Sequence, residues 1–274
     1  ITDTVDPLAL EHLSRLSSVR HLRLGGVPPT ISALPRDKAL FPSLQKLYFF
    51  SRIESPTRFL EWCNKLPLVK FEFQCPEFST PDAVHHLFSA ASHGISHSSL
   101  MKFTFTDFDN SDSWSFPNHL IRPQSLRSLF CFVNLTSMSV LSAVGIDLDD
   151  STVTDMARSW PYIECLQLRS YLCYPVPRAT LQCLEAFPAY CPHLTTLCLT
   201  LDATVIPTST AEISLPCLQE LAVEASPIST SLPVAQFITR IFPSLRNIST
   251  QDKDFRLGAK QYSRLWRDVV SLLA

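Results

Sequence analysis

The sequence is poor in glycine and in charged residues. Of its 274 residues only five are glycine, 18% are charged, and the formal net charge is −2. Five scattered glycines cannot build a glycine-rich phosphate loop or a dinucleotide-binding fingerprint. The nearly balanced charge argues against a nucleic-acid binder, and the 46% of apolar residues argues against a disordered chain.

The sequence also has no long hydrophobic run, and its first residues do not match the pattern of a leader peptide. No apolar stretch approaches the roughly 18 residues of a membrane helix. The first residues, ITDTVDPLALEHL, have neither the basic start nor the apolar core of a signal peptide. Because Ile1 is not a start methionine, we expect the natural protein to extend upstream.

The cysteines offer no disulfide framework. They number nine, an odd count, and no Cys-x-x-Cys pair occurs among them. Two glycosylation sequons, at Asn134 and Asn247, would suit a secreted protein, but both fall inside predicted strands, where a glycan is awkward. Reduced cysteines in a cytoplasmic or nuclear protein are therefore the favoured interpretation.

No group of residues predicts a catalytic or metal site. His85, His86, His93 and His97 lie within 13 positions, but the stretch ASHGISHSSL is typical of a polar loop. Metal binding needs three or four convergent ligands. We therefore expect no metal and no cofactor, and an enzyme is the least supported interpretation.

Three acidic residues loosely resemble a calcium loop. Asp107, Asp109 and Asp112 lack the turn glycine and the closing glutamate of such a loop, so a solvated insertion is predicted instead.

Three further aspartates and two cysteines are predicted to have no catalytic role. Asp147, Asp149 and Asp150 are predicted to cap the helix that follows them and to complement its dipole. Cys191 is predicted to be core. Cys198 is predicted to face outward, with no neighbour that would activate it.

A repeated pattern fills most of the chain. FPSLQKLYFF at 41–50 returns as FPSLRNISTQ at 242–251. Aligning the chain on these stretches gives nine copies of leucine-x-x-leucine-x-leucine with aliphatic or aromatic variants. Their middle residues are Leu22, Leu47, Phe71, Phe103, Met138, Leu166, Leu197, Leu221 and Ile248. The 226 positions between the first and the last make eight intervals of about 28, within the range of leucine-rich repeats.

Helical patterns precede the strand patterns. Val234, Phe237, Ile238 and Ile241 follow a helical period. Ser55-Pro56 and Thr80-Pro81 are predicted helix starts, because a capping side chain precedes a proline that needs no donor. A proline at the corner between helix and strand recurs at Pro42, Pro67, Pro161, Pro192, Pro216 and Pro243.

These patterns predict an α/β fold: a leucine-rich-repeat solenoid, or horseshoe, with a concave parallel sheet of about nine strands and outer helices. Residues 1–274 are interpreted as one leucine-rich-repeat domain. Residues 1–18 are predicted to hold a helix leading into the first repeat, and residues 256–274 a C-terminal capping helix. The apolar residues at helical spacing in that last helix form a stripe that is predicted to be buried: Tyr262, Leu265, Trp266, Val269, Val270 and Leu273.

Two long segments resemble a known family. LRSLFCFVNLTSMSV at 126–140 and GIDLDDSTVTDMARSWPYIECLQL at 145–168 are similar to the leucine-rich region of fungal F-box proteins, as are the corners FPSLQKL and CPHLTTLCL. The resemblance implies repeats that present substrate to a cullin-type ubiquitin ligase, recruited through an F-box. The given sequence contains no F-box-like segment, so ligase subunits are expected as partners only if one lies upstream of Ile1.

The candidate binding residues alternate with the core residues along the strands and are predicted to point to the concave side. They are Arg23, Lys46, Tyr48, Phe50, Lys70, Glu72, Lys102, Thr104, Gln167 and Arg169. The same alternation predicts that Thr106, Cys198, Glu220, Ala222, Glu224 and Gln251 point outward.

The N-terminal half of this predicted surface is basic. Three lysines hold the same repeat position, which suggests a partner with an acidic or phosphorylated segment. We therefore expect a protein-binding module, with no binding of nucleic acid or membranes. Its leading role is substrate recognition for an F-box-type ubiquitin ligase adaptor. The alternative is a ligase-independent scaffold or inhibitor, and a hydrolase or metal enzyme is a distant third.

Overall fold

The computed structural model describes residues 5–33, 40–107, 120–142, 145–170, 177–208, 214–250 and 259–273. Nine strands form one sheet in the order β1 to β9, and every neighbouring pair is parallel. The strands are β1 His21–Leu24, β2 Lys46–Phe50, β3 Lys70–Cys75, β4 Lys102–Asp107, β5 Ser137–Ser142, β6 Cys165–Ser170, β7 Thr196–Cys198, β8 Glu220–Ala222 and β9 Asn247–Ser249. The predicted α/β class and nine-stranded parallel sheet are confirmed.

Helical segments connect most of the strands within the described residues. They are α1 Pro7–Ser14, α2 Glu54–Trp62, α3 Pro81–Gly94, α4 Pro123–Arg127, α5 Asp150–Ser159, α6 Ala186–Tyr190, α7 Ser231–Ile241 and α8 Ala259–Leu273, with short 3-10 helices at Pro29–Ala33 and Leu181–Glu185. No helix in this part of the chain is both long and apolar enough to cross a bilayer.

The middle residues of the nine sequence motifs stack across the sheet. Leu22 lies opposite Leu47, and each later middle residue lies opposite the next, ending at Ile248. Eight of the nine are buried, as predicted. Leu22, in the edge strand β1, is only partly buried.

Aromatic side chains join this row to the helices. Phe88 of α3 packs edge-on against Phe103 and Phe105 of β4, with ring centroids 5.5 Å apart in both pairs. Phe59 of α2 packs in the same way against Phe49 of β2, also at 5.5 Å. The helices therefore cover the face of the sheet that carries the motif residues.

One predicted helix start is confirmed and another is wrong. Thr80 caps α3, since its hydroxyl accepts a hydrogen bond of 3.3 Å from the Ala83 backbone, and Pro81 opens the helix. However, α2 begins before Ser55-Pro56, with Ile53 as an N-cap that has no side-chain bond. The Ser55 hydroxyl instead accepts a bond of 3.4 Å from the backbone of Val27, so a tertiary contact takes the place of the cap.

The predicted polar loop of ASHGISHSSL is in part helical. Helix α3 continues to Gly94, and a methyl group at Gly94 would come within 2.4 Å of the Leu60 carbonyl oxygen of α2. The glycine therefore permits close approach of the two helices, which a loop interpretation overlooks.

The last helix lies against α7, the helix before β9. Trp266 and Val269 are buried, as the predicted stripe requires. Val270 is 39% exposed, so its assignment to the buried stripe was wrong.

Candidate protein-binding surface

The side of the sheet away from the helices carries the ten candidate binding residues, and we call it the open face. They alternate with buried residues in β1 to β4 and in β6. Arg23, Lys46, Phe50 and Lys102 are exposed, and the other six are half-buried. The structure therefore places all ten on one side of the sheet, nearest to one another in β1 to β4.

Three lysines of this surface form a row across neighbouring strands. Lys46 lies opposite Lys70, and Lys70 lies opposite Lys102, which confirms the predicted alignment. Adjacent strands are about 4.8 Å apart. The Lys70 ammonium lies 2.6 Å from a carboxylate oxygen of Glu72, whereas Lys46 and Lys102 have no ion-pair partner among the described residues. Two of the three charges in this lysine row are thus left to solvent.

An aromatic groove lies beside the lysine row. The Arg23 guanidinium is 4.3 Å from the centre of the Tyr48 ring, and the Tyr48 hydroxyl donates a hydrogen bond of 3.0 Å to Oε1 of Gln74. Phe50 is 47% exposed. The groove has a volume of about 440 Å³ and is lined by Arg23, Leu24, Gly25, Tyr48, Phe50 and Gln74. These contacts hold Tyr48 in place while leaving Phe50 available for apolar contact.

The open face is more closed at β7 and β8 than the alternation predicts. Cys198, Ala222 and Glu224 are buried, and Thr106 of β4 is buried as well, so their predicted exposure was wrong. Cys198 donates a hydrogen bond of 3.2 Å to Oε1 of Glu224. Burial raises the pKa of the Cys198 thiol far above its usual range, and the negative charge of Glu224 adds to this effect. The thiol is therefore not activated as a nucleophile.

Glu224 also approaches Arg169, which forms a cluster that sequence reasoning missed. Nε of Arg169 is 3.7 Å from Oε1 of Glu224. Glu224 has a φ of 50°, in the left-handed region, so the backbone at this position departs from the extended strand. Strand alternation therefore does not give its side-chain direction. We call Arg169, Cys198 and Glu224 the Glu224 cluster.

Of the three acidic residues that loosely resemble a calcium loop, the structure describes only Asp107. Asp107 ends β4 fully buried, so its place in a solvated insertion was wrong, while Asp109 and Asp112 lie outside the described residues, as does Gln251. Across the described ranges, no group of three or more His, Cys, Asp or Glu could hold a metal ion.

Helix α5 is capped by one of the three predicted aspartates. Asp149 accepts a hydrogen bond of 2.8 Å from the Thr152 backbone. Asp147 pairs with Arg178 at 2.8 Å, and Asp150 accepts from the Thr180 backbone at 2.6 Å. The carboxylates of Asp147 and Asp150 therefore link the start of α5 to the connection that follows β6.

A second groove, of about 750 Å³, lies on the helix side between α2 and α3. His85, His86 and His93 line it, and Trp62 at its base is 2% exposed. The groove is larger than the aromatic groove, but it contains none of the lysine-row residues and nothing in the structure indicates its ligand.

Comparisons with known proteins give little further information. No family model matches the chain, and no curated protein matches it. Among solved structures, a chain in the crystal structure of the yeast Rad7 and Elc1 complex is similar, with 12% sequence identity and a TM-score of 0.30. The match covers 92% of this chain and 82% of that chain. A similarity of this size carries no argument about function.

Proposed function

We propose that this chain is a leucine-rich-repeat solenoid that binds a protein partner through β1 to β4 of its open face. The observation that carries the proposal is the lysine row, in which Lys46 and Lys102 have no ion-pair partner within the described part of the chain and lie beside exposed Phe50. Aromatic residues are enriched where protein interfaces concentrate their binding energy.

Folding alone gives no reason for the lysine row. Like charges directly opposite one another in a sheet destabilise it, and the salt bridge to Glu72 neutralises only Lys70. An acidic or phosphorylated segment would relieve the repulsion, since phosphate and carboxylate groups pair with ammonium groups. Phe50 and Tyr48 would supply apolar contact next to that charge.

The more specific role is substrate recognition for an F-box-type ubiquitin ligase adaptor, supported by the resemblance of residues 126–168 to that family. The second candidate is a scaffold or inhibitor that acts without a ligase. An F-box encoded upstream of Ile1 in the complete gene would support the ligase role, and a different domain there would support the scaffold.

A peptide-binding experiment tests the surface itself. Fluorescein-labelled 12-residue peptides with a central phosphoserine beside leucine are titrated with the protein, and matched peptides carry serine instead. We expect only the phosphorylated set to bind, and its affinity to fall as salt rises, because exposed charges are screened.

A triple variant assigns the binding to the lysine row. Replacement of Lys46, Lys70 and Lys102 by glutamate is expected to abolish binding with the fold intact. The matched control places glutamate at Lys65, Arg158 and Arg264, which are exposed outside the open face and give the same change of net charge. Equal affinity of the lysine-row variant and the parent would show that recognition lies elsewhere.

A further inference from the structure

The Glu224 cluster contains a buried carboxylate, although the ten candidate binding residues of the open face are exposed or half-buried. The side chain of Glu224 is 4% exposed and that of Arg169 is 40% exposed, so Arg169 is the outer member of the pair. Cys198, which is fully buried, already donates to Oε1 of Glu224. The cluster connects the ends of β6 and β8 across β7.

Two polar atoms of the cluster are left without hydrogen bonds. Oε2 of Glu224 and Nε of Arg169 are buried and have no hydrogen-bond partner among the described residues, although Nε remains 3.7 Å from Oε1 of Glu224. A buried polar group without a hydrogen bond is destabilising, and more so when it is charged. Glu224 also has a left-handed backbone, which is strained for a residue other than glycine. Strained residues of this kind are concentrated at functional sites.

The two atoms without hydrogen bonds determine which chemical group could bind to both of them. Oε2 of Glu224 needs a donor, and Nε of Arg169 needs an acceptor. A phosphate or carboxylate would suit Arg169 but would be repelled by Glu224, and an ammonium group would meet the opposite difficulty. A neutral group that both donates and accepts, such as a carboxamide, can satisfy both atoms without a charge conflict.

We propose that the Glu224 cluster is a second subsite, which binds an asparagine or glutamine side chain of the partner segment. This inference rests on the proposed function, because the same segment places its acidic group on the lysine row. The carboxamide N–H donates to Oε2 of Glu224, and its oxygen accepts from Nε of Arg169. The Arg169 side chain, which is 40% exposed, lies at the solvent side of this subsite.

The sheet sets the distance between the two subsites. The lysine row is centred on β3 and the Glu224 cluster on β7, four strand spacings apart. Four spacings of about 4.8 Å are about 19 Å across the sheet. The lysine row is in register with Cys165, and Arg169 lies four residues further along β6, which adds about 13 Å in the strand direction. The two subsites are therefore about 23 Å apart, and at about 3.3 Å per residue an extended segment reaches both when the amide residue is about seven positions from the acidic residue.

Phosphopeptides with a glutamine at varied distance test this geometry. Each peptide carries one phosphoserine beside leucine and one glutamine placed three to nine positions away, with alanine and serine elsewhere. We expect the peptides with a spacing of six to eight to bind at least fivefold more tightly than the peptide with a spacing of three. Lysine or aspartate in the same place is expected to lose this gain.

Glu224→Gln supplies the decisive variant, because it replaces the acceptor Oε2 by an amide. The variant is expected to lose the glutamine preference while keeping its dependence on phosphoserine. Glu220→Gln, a change at an exposed carboxylate in β8, four residues before Glu224, is the matched control and is expected to keep both. If Glu224→Gln does not fold, as judged by its thermal melt, Arg169→Lys removes Nε from a half-exposed side chain and is expected to reduce the preference as well.

The possible outcomes separate the two proposals. Loss of phosphoserine binding in the lysine-row variant, with no glutamine preference at any spacing, would overturn the subsite and leave the proposed function standing. A preference for lysine at the distal place would overturn the neutral-group assignment in favour of a cation. No binding of any phosphopeptide by the parent protein would overturn both.

Discussion

The indole Nε1 of Trp266 donates a hydrogen bond of 2.9 Å to the backbone oxygen of Ser226, 40 positions earlier in the chain. Trp266 is 1% exposed and Ser226 is fully buried. Ser226 lies in the connection between β8 and α7, and its hydroxyl accepts a bond of 2.9 Å from the Leu201 backbone. The last helix is therefore tied to the connections that follow β7 and β8.

Trp266→Ala is expected to lower the free energy of unfolding by about 3–5 kcal/mol, the range for removing a buried aromatic side chain. Trp266→Phe keeps much of the packing and loses the hydrogen bond, so its cost is expected to be smaller. Urea denaturation followed by circular dichroism measures both. Val270→Ala, on the exposed side of the same helix, is the control; an equal loss at both sites would show that the indole is not the anchor.

Gly94→Ala is expected to destabilise the protein, although alanine in a helix is normally about 1 kcal/mol better than glycine. The added methyl group would lie 2.4 Å from the Leu60 carbonyl oxygen, which is backbone and cannot move aside without shifting α2. Overpacking of this kind costs typically about 1–3 kcal/mol. Thermal melts compare it with Ser92→Ala, a half-buried position in the same helix. A raised melting temperature for Gly94→Ala would contradict the close approach of the two helices.

Asp149 is expected to give a measurable pH dependence to stability. Hydrogen bonds from Thr152, through its hydroxyl and its backbone, lower the pKa of Asp149 to about 2. The pKa in the unfolded chain is about 3.9. Because the folded value is the lower one, the stabilisation is fully present above about pH 4 and is lost as pH falls towards 2.

Asp149→Asn tests this linkage, because asparagine is also a good N-cap but carries no charge. The parent should have the higher melting temperature at pH 5, and the difference should shrink as pH falls from 5 to about 2. Asp82→Asn, in the first turn of α3, is a matched control with an exposed carboxylate. A difference between parent and Asp149→Asn that stays constant with pH would rule out the lowered pKa.

The buried cysteines are expected to resist alkylation in the native state. Burial raises the pKa of Cys191 to about 12 and raises that of Cys183 as well. Only the thiolate reacts, so iodoacetamide at pH 7.5 should label Cys217, which is half-buried, well before these two. Mass spectrometry of peptides, with and without urea, identifies each site. Rapid native labelling of Cys191 would show that the end of α6 opens readily.

Much of the sheet could be predicted because its pattern is local and repeated. The middle residues from Leu22 to Ile248 recur in one phase, and strand alternation then puts Lys46, Lys70 and Lys102 on the other face. The lysine row therefore follows from spacing. The salt bridge of Lys70 to Glu72 and the stacking of Arg23 on Tyr48 do not, because alternation gives a side chain's face and not its rotamer.

The sequence by itself determined the order, direction and register of the nine strands, since a period of two and a repeated motif leave few alternatives. Only the tertiary structure decided which outward residues stay in solvent. Glu224 is buried because a left-handed residue redirects the chain after β8 and brings its carboxylate to Cys198 and Arg169. Contacts of this kind join residues 26 or more positions apart, and no local pattern of hydrophobicity encodes them.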